Sequence, residues 1–312
     1  MVQEPAASKR RRLDAPSAHR LGRRDFLWLA AGGLLAACSS PGGSPQEVAV
    51  PTSPHPSATA APGTQLSSPD PAPTGTPSPA REEIVARYTG VSPAAWGLAV
   101  PGVVQVLPTT ERVVALTFDA CGGPSGSGYD AALIETLVAT GTPATLFLNQ
   151  RWILTHPGIA AELASEPLFE LANHGTLHRP LSVDGESAYG IAGTAGPGEA
   201  YDEVVGNRRT LTELTGAPPR FFRSGTAHYD DVAVRMVGDI GETVVNFDVN
   251  GDAGATFGPQ QVAAALQSCR AGSIVIGHMN QPAGGTAEGV AAALPRLADD
   301  GFRCVRLSEH LA

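Results

Sequence analysis

From Arg112 to Ser308 short apolar runs alternate with segments whose apolar positions recur at helical spacing, and this alternation limits the fold more than any other feature. The runs RVVALTF, PATLFLN, FELANHG, RFFRSG, TVVNFDV, SIVIGHM and FRCVRLS read as strands. Between them YDAALIETLVATG, GIAAELA, EAYDEVVGNRRTLTELTG, DDVAVRMVGDIG, GPQQVAAALQSCRAG and TAEGVAAALPRLADDG read as helices. About seven βα units of this kind predict an α/β fold, a barrel whose functional groups collect at the C-terminal ends of its strands. The pattern contains no short internal repeat.

Ahead of this region the chain carries two segments of different character. In LGRRDFLWLAAGGLLAACSS a paired arginine, Arg23 and Arg24, precedes an apolar run too short to span a bilayer, the parts of an export signal of the twin-arginine kind. Leu35-Ala36-Ala37-Cys38 resembles a bacterial lipobox, which implies cleavage before Cys38 and a lipid anchor on its sulfur. From Ser39 to about Ala80 Pro, Ser, Thr, Ala and Gly dominate, a composition that cannot bury a core and suits an extended stalk. The expected organisation is therefore a signal peptide over 1–37, a Pro/Ser/Thr-rich linker over 38–82 and one catalytic domain over 83–312. The expected location is extracytoplasmic, on the bacterial cell membrane.

Residues 1–37 hold seven Lys or Arg and three Asp or Glu, so the remainder carries 14 basic against 27 acidic residues, a net charge near −13. That balance argues against nucleic acid as a partner. Beyond Cys38 three cysteines remain. Cys269 and Cys304 flank two late elements and are candidates to pair in an oxidising compartment, while Cys121 reads as a small buried residue or as a thiol beside Asp119.

The chemistry-bearing residues fall at strand ends: Asp119 after one strand, His174 and His178 after another, then Arg223, then Asp248 to Asp252, then His278. In NHGTLH the two imidazoles stand at i and i+4, a spacing that lets both face one divalent metal from a helical turn, or merely two surface histidines on a turn. Asp119 and His278 favour the first reading, since hydrolysis needs a base for water and an acid for the leaving group.

These motifs, in this order, resemble the polysaccharide deacetylases, the NodB-homology domain of carbohydrate esterase family four, over most of residues 112–311. TFDACGG resembles the first motif, usually TFDDG, and NHGTLHRPL the metal-binding HxxxH motif. FFRSGTAHY stands where the family has its arginine, VNFDVNGDAG where it has a tryptophan and paired aspartates, and IVIGHMN where it has a leucine and histidine. The resemblance implies a distorted (β/α) barrel and removal of acetyl groups from a polysaccharide. It implies Asp119 as base, His174 and His178 as metal ligands, Arg223 as the group orienting Asp119, and His278 as general acid. Asp248 or Asp252, with Asp252 preferred, is its acidic partner. A backbone N–H within Ser224 to Thr226 is the expected donor to the oxyanion. The implied cofactor is a divalent metal, zinc or another first-row ion such as cobalt. The implied partners are an acetylated glycan and, through Cys38, the membrane; the chain is expected to be monomeric.

Three departures from the family pattern bear on this reading. The second aspartate, a metal ligand in the family, is Ala120, so the third ligand is Asp119 itself, Cys121, Asp130, a water or another residue. Asp119 is taken as that ligand together with His174 and His178. The Ser224-Gly225-Thr226 turn and the lack of tryptophan in NGDAG imply a reshaped cleft. Two other functions stay open, a glycan-binding protein impaired in catalysis and a hydrolase of a non-carbohydrate amide or imide. Among neighbouring residues, Asp230 reads as a helix cap, Asn246 as a strand-end backbone partner, and His228, Tyr229, Asn173 and Asn250 as candidates to line the cleft.

Overall fold

The computed structural model describes residues 80–312. The expected signal peptide, the lipobox with Cys38 and all but the last residues of the expected linker lie outside them. Among the described residues no helix is long and apolar enough to cross a membrane.

The elements follow as α1 (Arg81–Tyr88), β1 (Trp96–Gly97), β2 (Val113–Ala120), α2 (Ala131–Ala139), β3 (Ala144–Leu148), α3 (Gln150–Thr155), α4 (Pro157–Ser165), β4 (Phe169–Asn173) and α5 (Pro197–Thr215). Next come β5 (Phe221–Phe222), β6 (Tyr229–Asp230), α6 (Asp231–Ile240), β7 (Thr243–Val244), β8 (Val249–Asn250), α7 (Pro259–Gln267), β9 (Ser273–His278), α8 (Thr286–Asp299) and β10 (Arg303–Val305). Local chemistry sets several boundaries. The Asp130 carboxylate accepts the Leu133 N–H at the start of α2, and Asp230 accepts the Ala233 N–H at the start of α6, as its expected capping role requires. Gly216 and Gly241, both left-handed, end α5 and α6.

Seven strands run in the order β7-β5-β4-β3-β2-β9-β8, and β10 pairs with the start of β2. Every pair within this sheet is parallel. The sheet is curled into a distorted half-barrel with helices around it, and the connectivity shows why. The outermost strands β7 and β8 are separated by only residues 245–248, which at roughly 3.3–3.6 Å per residue can join the two edges only if the sheet curls to bring them close. The run TVVNFDV is therefore two short strands and a crossing, not the single strand its apolar pattern predicts; within the crossing Val245 bridges to Val104.

Alternation along β2 separates core from site. Val114, Leu116, Phe118 and Ala120 pack outward in one apolar cluster with Leu133, Leu148, Trp152 and Leu294 from the surrounding helices and β3. Val113 and Ala115 face the inside of the curl with Phe147, Phe221, Val245 and Ile274. Burying each large aliphatic or aromatic side chain contributes about 1.5–3 kcal/mol, so these two clusters fix the strand's facing. Continuing the inward row through Thr117 puts Asp119, and then Cys121, at the C-terminal mouth of the curl. Cys269 and Cys304 are both free thiols packed in or against the outer cluster, so the expected pairing is not formed. Burial raises them to about 12 and about 11, with Asp248 and Cys304 adding to the effect on Cys269.

Candidate active site

The expected site residues meet at the mouth of the curl. Asp119 and His278 are register partners on the neighbouring parallel strands β2 and β9, while Asn173, next to His174, ends β4 beside Phe222, next to Arg223. Arg223 is fully buried. It donates from Nη1 to Asp119 Oδ1 at 2.8 Å and Thr117 Oγ1 at 2.9 Å, from Nε to the Val245 carbonyl and from Nη2 to the Asn246 carbonyl. Its guanidinium lies 4.1 Å over the Phe147 ring. Burial alone would push the Asp119 carboxyl up, but Arg223, His174 and His278 outweigh it and hold the group below its ordinary range.

A second dyad stands opposite. Asp252 Oδ1 accepts from His278 Nδ1 at 2.9 Å, and its Oδ2 accepts from the His278 backbone N–H at 2.6 Å and from Thr286 Oγ1 at 3.0 Å. Burial works against the imidazolium, yet the Asp252 carboxylate that accepts from it and the nearby Cys121 keep His278 well above its usual range. Asp248 is elsewhere, accepting from Ser273 Oγ and the Ile274 N–H, which leaves Asp252 as the partner of His278.

His174 and His178 do not lie on a helical turn. The segment after β4 is an irregular loop in which Gly175 and His178 have φ of 78° and 63°. Buried partners hold it: Glu203 of α5 accepts the Leu177 and Arg179 N–H groups, and Asn149 donates to the His174 and Gly175 carbonyls. A Cβ on Gly175 would meet Glu203, and one on Gly225 would overlap the backbone and ring of His178. Gly225→Ala is therefore expected to displace His178 and to weaken the binding of any divalent metal that His178 helps to hold by about 10–100-fold, the range for disturbing the support of a ligand; competition with a chromophoric chelator measures it.

His174 Nδ1 lies 2.9 Å from the Arg223 carbonyl, so it carries the proton and directs Nε2 to the mouth. There Nε2 is 3.9 Å from Cys121 Sγ and 3.6 Å from Asp119 Oδ2, and the His178 ring stands edge-on at 4.9 Å. One ligand atom each from Cys121, His174 and His178 lies within 4.8 Å of the other two. His178 Nε2 is buried without a hydrogen-bond partner. Such an orphaned nitrogen, converging with a second imidazole and a thiol, fits a divalent metal. Asp130, whose Oδ1 caps α2, stands outside this group. Burial opposes the Cys121 thiolate, but His174, His178 and His278 outweigh it and bring the thiol well below its ordinary range.

A cleft of about 410 Å³ is lined by Asp119, His178 and His278 together with Leu98, Ile191, Thr226, Phe247, Asn250 and Ile276. Of the segment Ser224 to Thr226, Ser224 gives its N–H to Tyr229 Oη, which leaves Gly225 and Thr226 at the cleft wall. Tyr229 itself is buried, its hydroxyl donating a hydrogen bond to Asn246 Oδ1, so it supports the wall without lining it. Asn246 donates to the Leu98 and Ala227 carbonyls, the backbone role expected of it. His228 sits between the rings of Trp96 and exposed Tyr189.

Residues 107–245 match the polysaccharide deacetylase family model. Solved structures of that carbohydrate esterase family share the fold. The Bc1960 peptidoglycan N-acetylglucosamine deacetylase matches with a TM-score of 0.57 at 21% identity, over 67% of this chain and 92% of that one. BA3943 of Bacillus anthracis, described as a family pseudoenzyme, matches with a TM-score of 0.57 at 20% identity, over 69% and 70%. A family 4 acetyl xylan esterase from Clostridium thermocellum in complex with a cobalt ion matches with a TM-score of 0.52 at 21% identity, over 64% and 89%. No curated protein matches the chain. The polysaccharide deacetylase match includes Asp119, Cys121, His174, His178 and Arg223 and stops before Asp252 and His278.

Sequence reasoning left out the supports. Glu203, and Glu242 with Arg208, which are buried behind β4 against Asn173, look in sequence like ordinary polar positions of helices and turns. Burial pushes Glu242 up to about 8 against the pull of Arg208. Asn173 is thereby a structural residue, donating to Glu242 and the Val204 carbonyl, and Asn250 caps its own turn by accepting the Ala253 N–H.

Proposed function

We propose that the chain is a metal-dependent hydrolase that removes acetyl groups from a polysaccharide of the cell envelope or its surroundings. The observation that carries this reading is the placement of two proton-handling dyads, Arg223 with Asp119 and Asp252 with His278, at one cleft beside a cluster of metal-ligating side chains. His174 and His178 would hold the metal, which when bound supplies positive charge beside the acetyl carbonyl and the attacking water. Asp119, its Oδ1 fixed by Arg223, has Oδ2 free of hydrogen bonds to protein and takes a proton from water. His278 gives a proton from Nε2 to the leaving nitrogen or oxygen, and Asp252 fixes the tautomer and orientation that make this transfer possible. Water adds its oxygen to the acetyl carbon, the C–N or C–O bond breaks, and acetate leaves with a free amine or hydroxyl. N–H groups of Gly225 and Thr226 are the candidate donors to the oxyanion.

Asp252→Asn is expected to lower turnover by about 10²–10⁴-fold, the usual weight of a positioned acid. Because the Asp252 carboxylate is what holds the imidazolium up, the residual activity should lose its basic limb at a lower pH than wild type. An unchanged pH profile would mean that Asp252 does not act on His278.

The N-terminal pattern supports export and a lipid anchor at Cys38, which would place the cleft beside envelope glycans. A second reading, hydrolysis of a non-carbohydrate amide or imide, draws support from the apolar part of the wall, Leu98, Ile191, Phe247 and Ile276. A panel of chitooligosaccharides, peptidoglycan fragments, acetylated xylan and cyclic imides, assayed with zinc supplied, separates the two. Turnover confined to the imides would overturn the deacetylase reading.

A further inference from the structure

We infer that the metal of this site is held through a thiolate, with Cys121 Sγ completing a Cys-His-His centre with His174 and His178 and with Asp119 outside it. The inference rests on the metal dependence proposed above and goes beyond it in naming the third ligand and the class of metal.

Four observations converge. Cys121 Sγ and one nitrogen of each histidine lie within 4.8 Å of one another, with Sγ and His174 Nε2 3.9 Å apart. Bonds of about 2.3 Å to sulfur and 2.0–2.1 Å to nitrogen put tetrahedral ligand atoms about 3.5 Å apart, so a small inward movement of three side chains suffices. His178 Nε2 is buried and has no other partner. The position where the family carries its carboxylate ligand is useless here, because Ala120 is fully buried and packs outward against Leu133, Leu148 and Trp152. Strand alternation instead brings Cys121 to the same side as Asp119. Finally, Asp119, held at Oδ1 by Arg223, and Asp130, whose Oδ1 caps α2, both stand outside the group of converging ligand atoms.

The consequence is metal choice. A thiolate with two imidazoles favours zinc and cobalt and disfavours magnesium and manganese, which prefer oxygen ligands. It also leaves Asp119 available as base, which removes the conflict between its two expected roles.

The test is titration of the full chain with cobalt(II), followed by absorption spectroscopy. Wild type should develop a near-ultraviolet sulfur-to-cobalt charge-transfer band saturating at one cobalt per chain and erased by zinc. Cys121→Ser should lose the band and bind cobalt at least about tenfold more weakly; Cys121→Asp should bind cobalt without the band. Stoichiometric cobalt binding by wild type with no such band, or a band that persists in Cys121→Ser, overturns the inference. Should the variants fail to fold, wild type answers alone: zinc is expected to protect Cys121 from iodoacetamide, read by peptide mass mapping. Undiminished labelling of the zinc-loaded chain overturns it. So does acetate release that resists chelation but is lost on alkylation, which would make Cys121 a nucleophile. None of the spectroscopic readouts uses acetate: a cobalt–sulfur band without acetate release sinks only the deacetylase reading, and metal-dependent release without the band sinks only this inference.

Discussion

Asp119→Asn is expected to lower acetate release by about 10²–10⁴-fold while leaving the zinc content of the purified chain unchanged. Both halves follow from the geometry. The amide keeps the shape of the side chain and can still accept from Arg223 Nη1 through its oxygen, so Thr117, Arg223 and the strand ends stay in place. It cannot take a proton from water, so the chemical step fails. With Cys121, His174 and His178 as ligands, nothing in the substitution removes a metal donor. Turnover and metal content measured on the same sample check the two halves together. An inactive variant without zinc would assign Asp119 to the metal, the ligand role expected from the sequence.

Arg223→Met is expected to destabilise the domain by about 3–5 kcal/mol and to abolish acetate release. Arg223 is fully buried, and its loss would leave Asp119 as an unpaired carboxylate in the interior, with Thr117 Oγ1 and the carbonyls of Val245 and Asn246 short of a donor. Those two carbonyls belong to the crossing that joins β7 to β8, so the same guanidinium orients the base and ties the edges of the curled sheet. Urea unfolding of the variant measures the cost, and a loss below about 1 kcal/mol would show that the network is dispensable. Arg223→Lys should recover little, because an ammonium cannot reproduce the planar fork or its stacking on Phe147.

The long apolar strands β2, β3, β4 and β9 and the helices α2, α5, α6, α7 and α8 were legible because each is written by burial on a regular period. Short elements held by their neighbours were not: β1 exists because Trp96 pairs with Asp230 and Gly97 with Tyr229, contacts between segments far apart in the chain that no local pattern encodes. The same limit explains residues 243–249, whose apolar sequence reads as one strand although tertiary closure divides it. At the site, the pairing of Arg223 with Asp119, and of His278 with Asp248 or, by preference, Asp252, was implied by the resemblance to the polysaccharide deacetylases. The geometry of His174 and His178 was not, because Gly175 and His178 turn the chain in the left-handed region and Glu203 secures that turn from a helix far along the sequence. Cys121 was readable in principle, since it stands two positions after Asp119, just past the end of a strand whose even positions are apolar core. Its thiol gains significance only once Ala120 is seen facing Leu133 and Trp152.

The most direct test of metal-dependent deacetylation is acetate released by the purified full chain from N-acetylated glycan oligomers, measured before chelation, after chelation and after zinc is restored. Release that disappears with the metal and returns with it is the predicted result; release indifferent to chelation, or none in any of the three states, contradicts it.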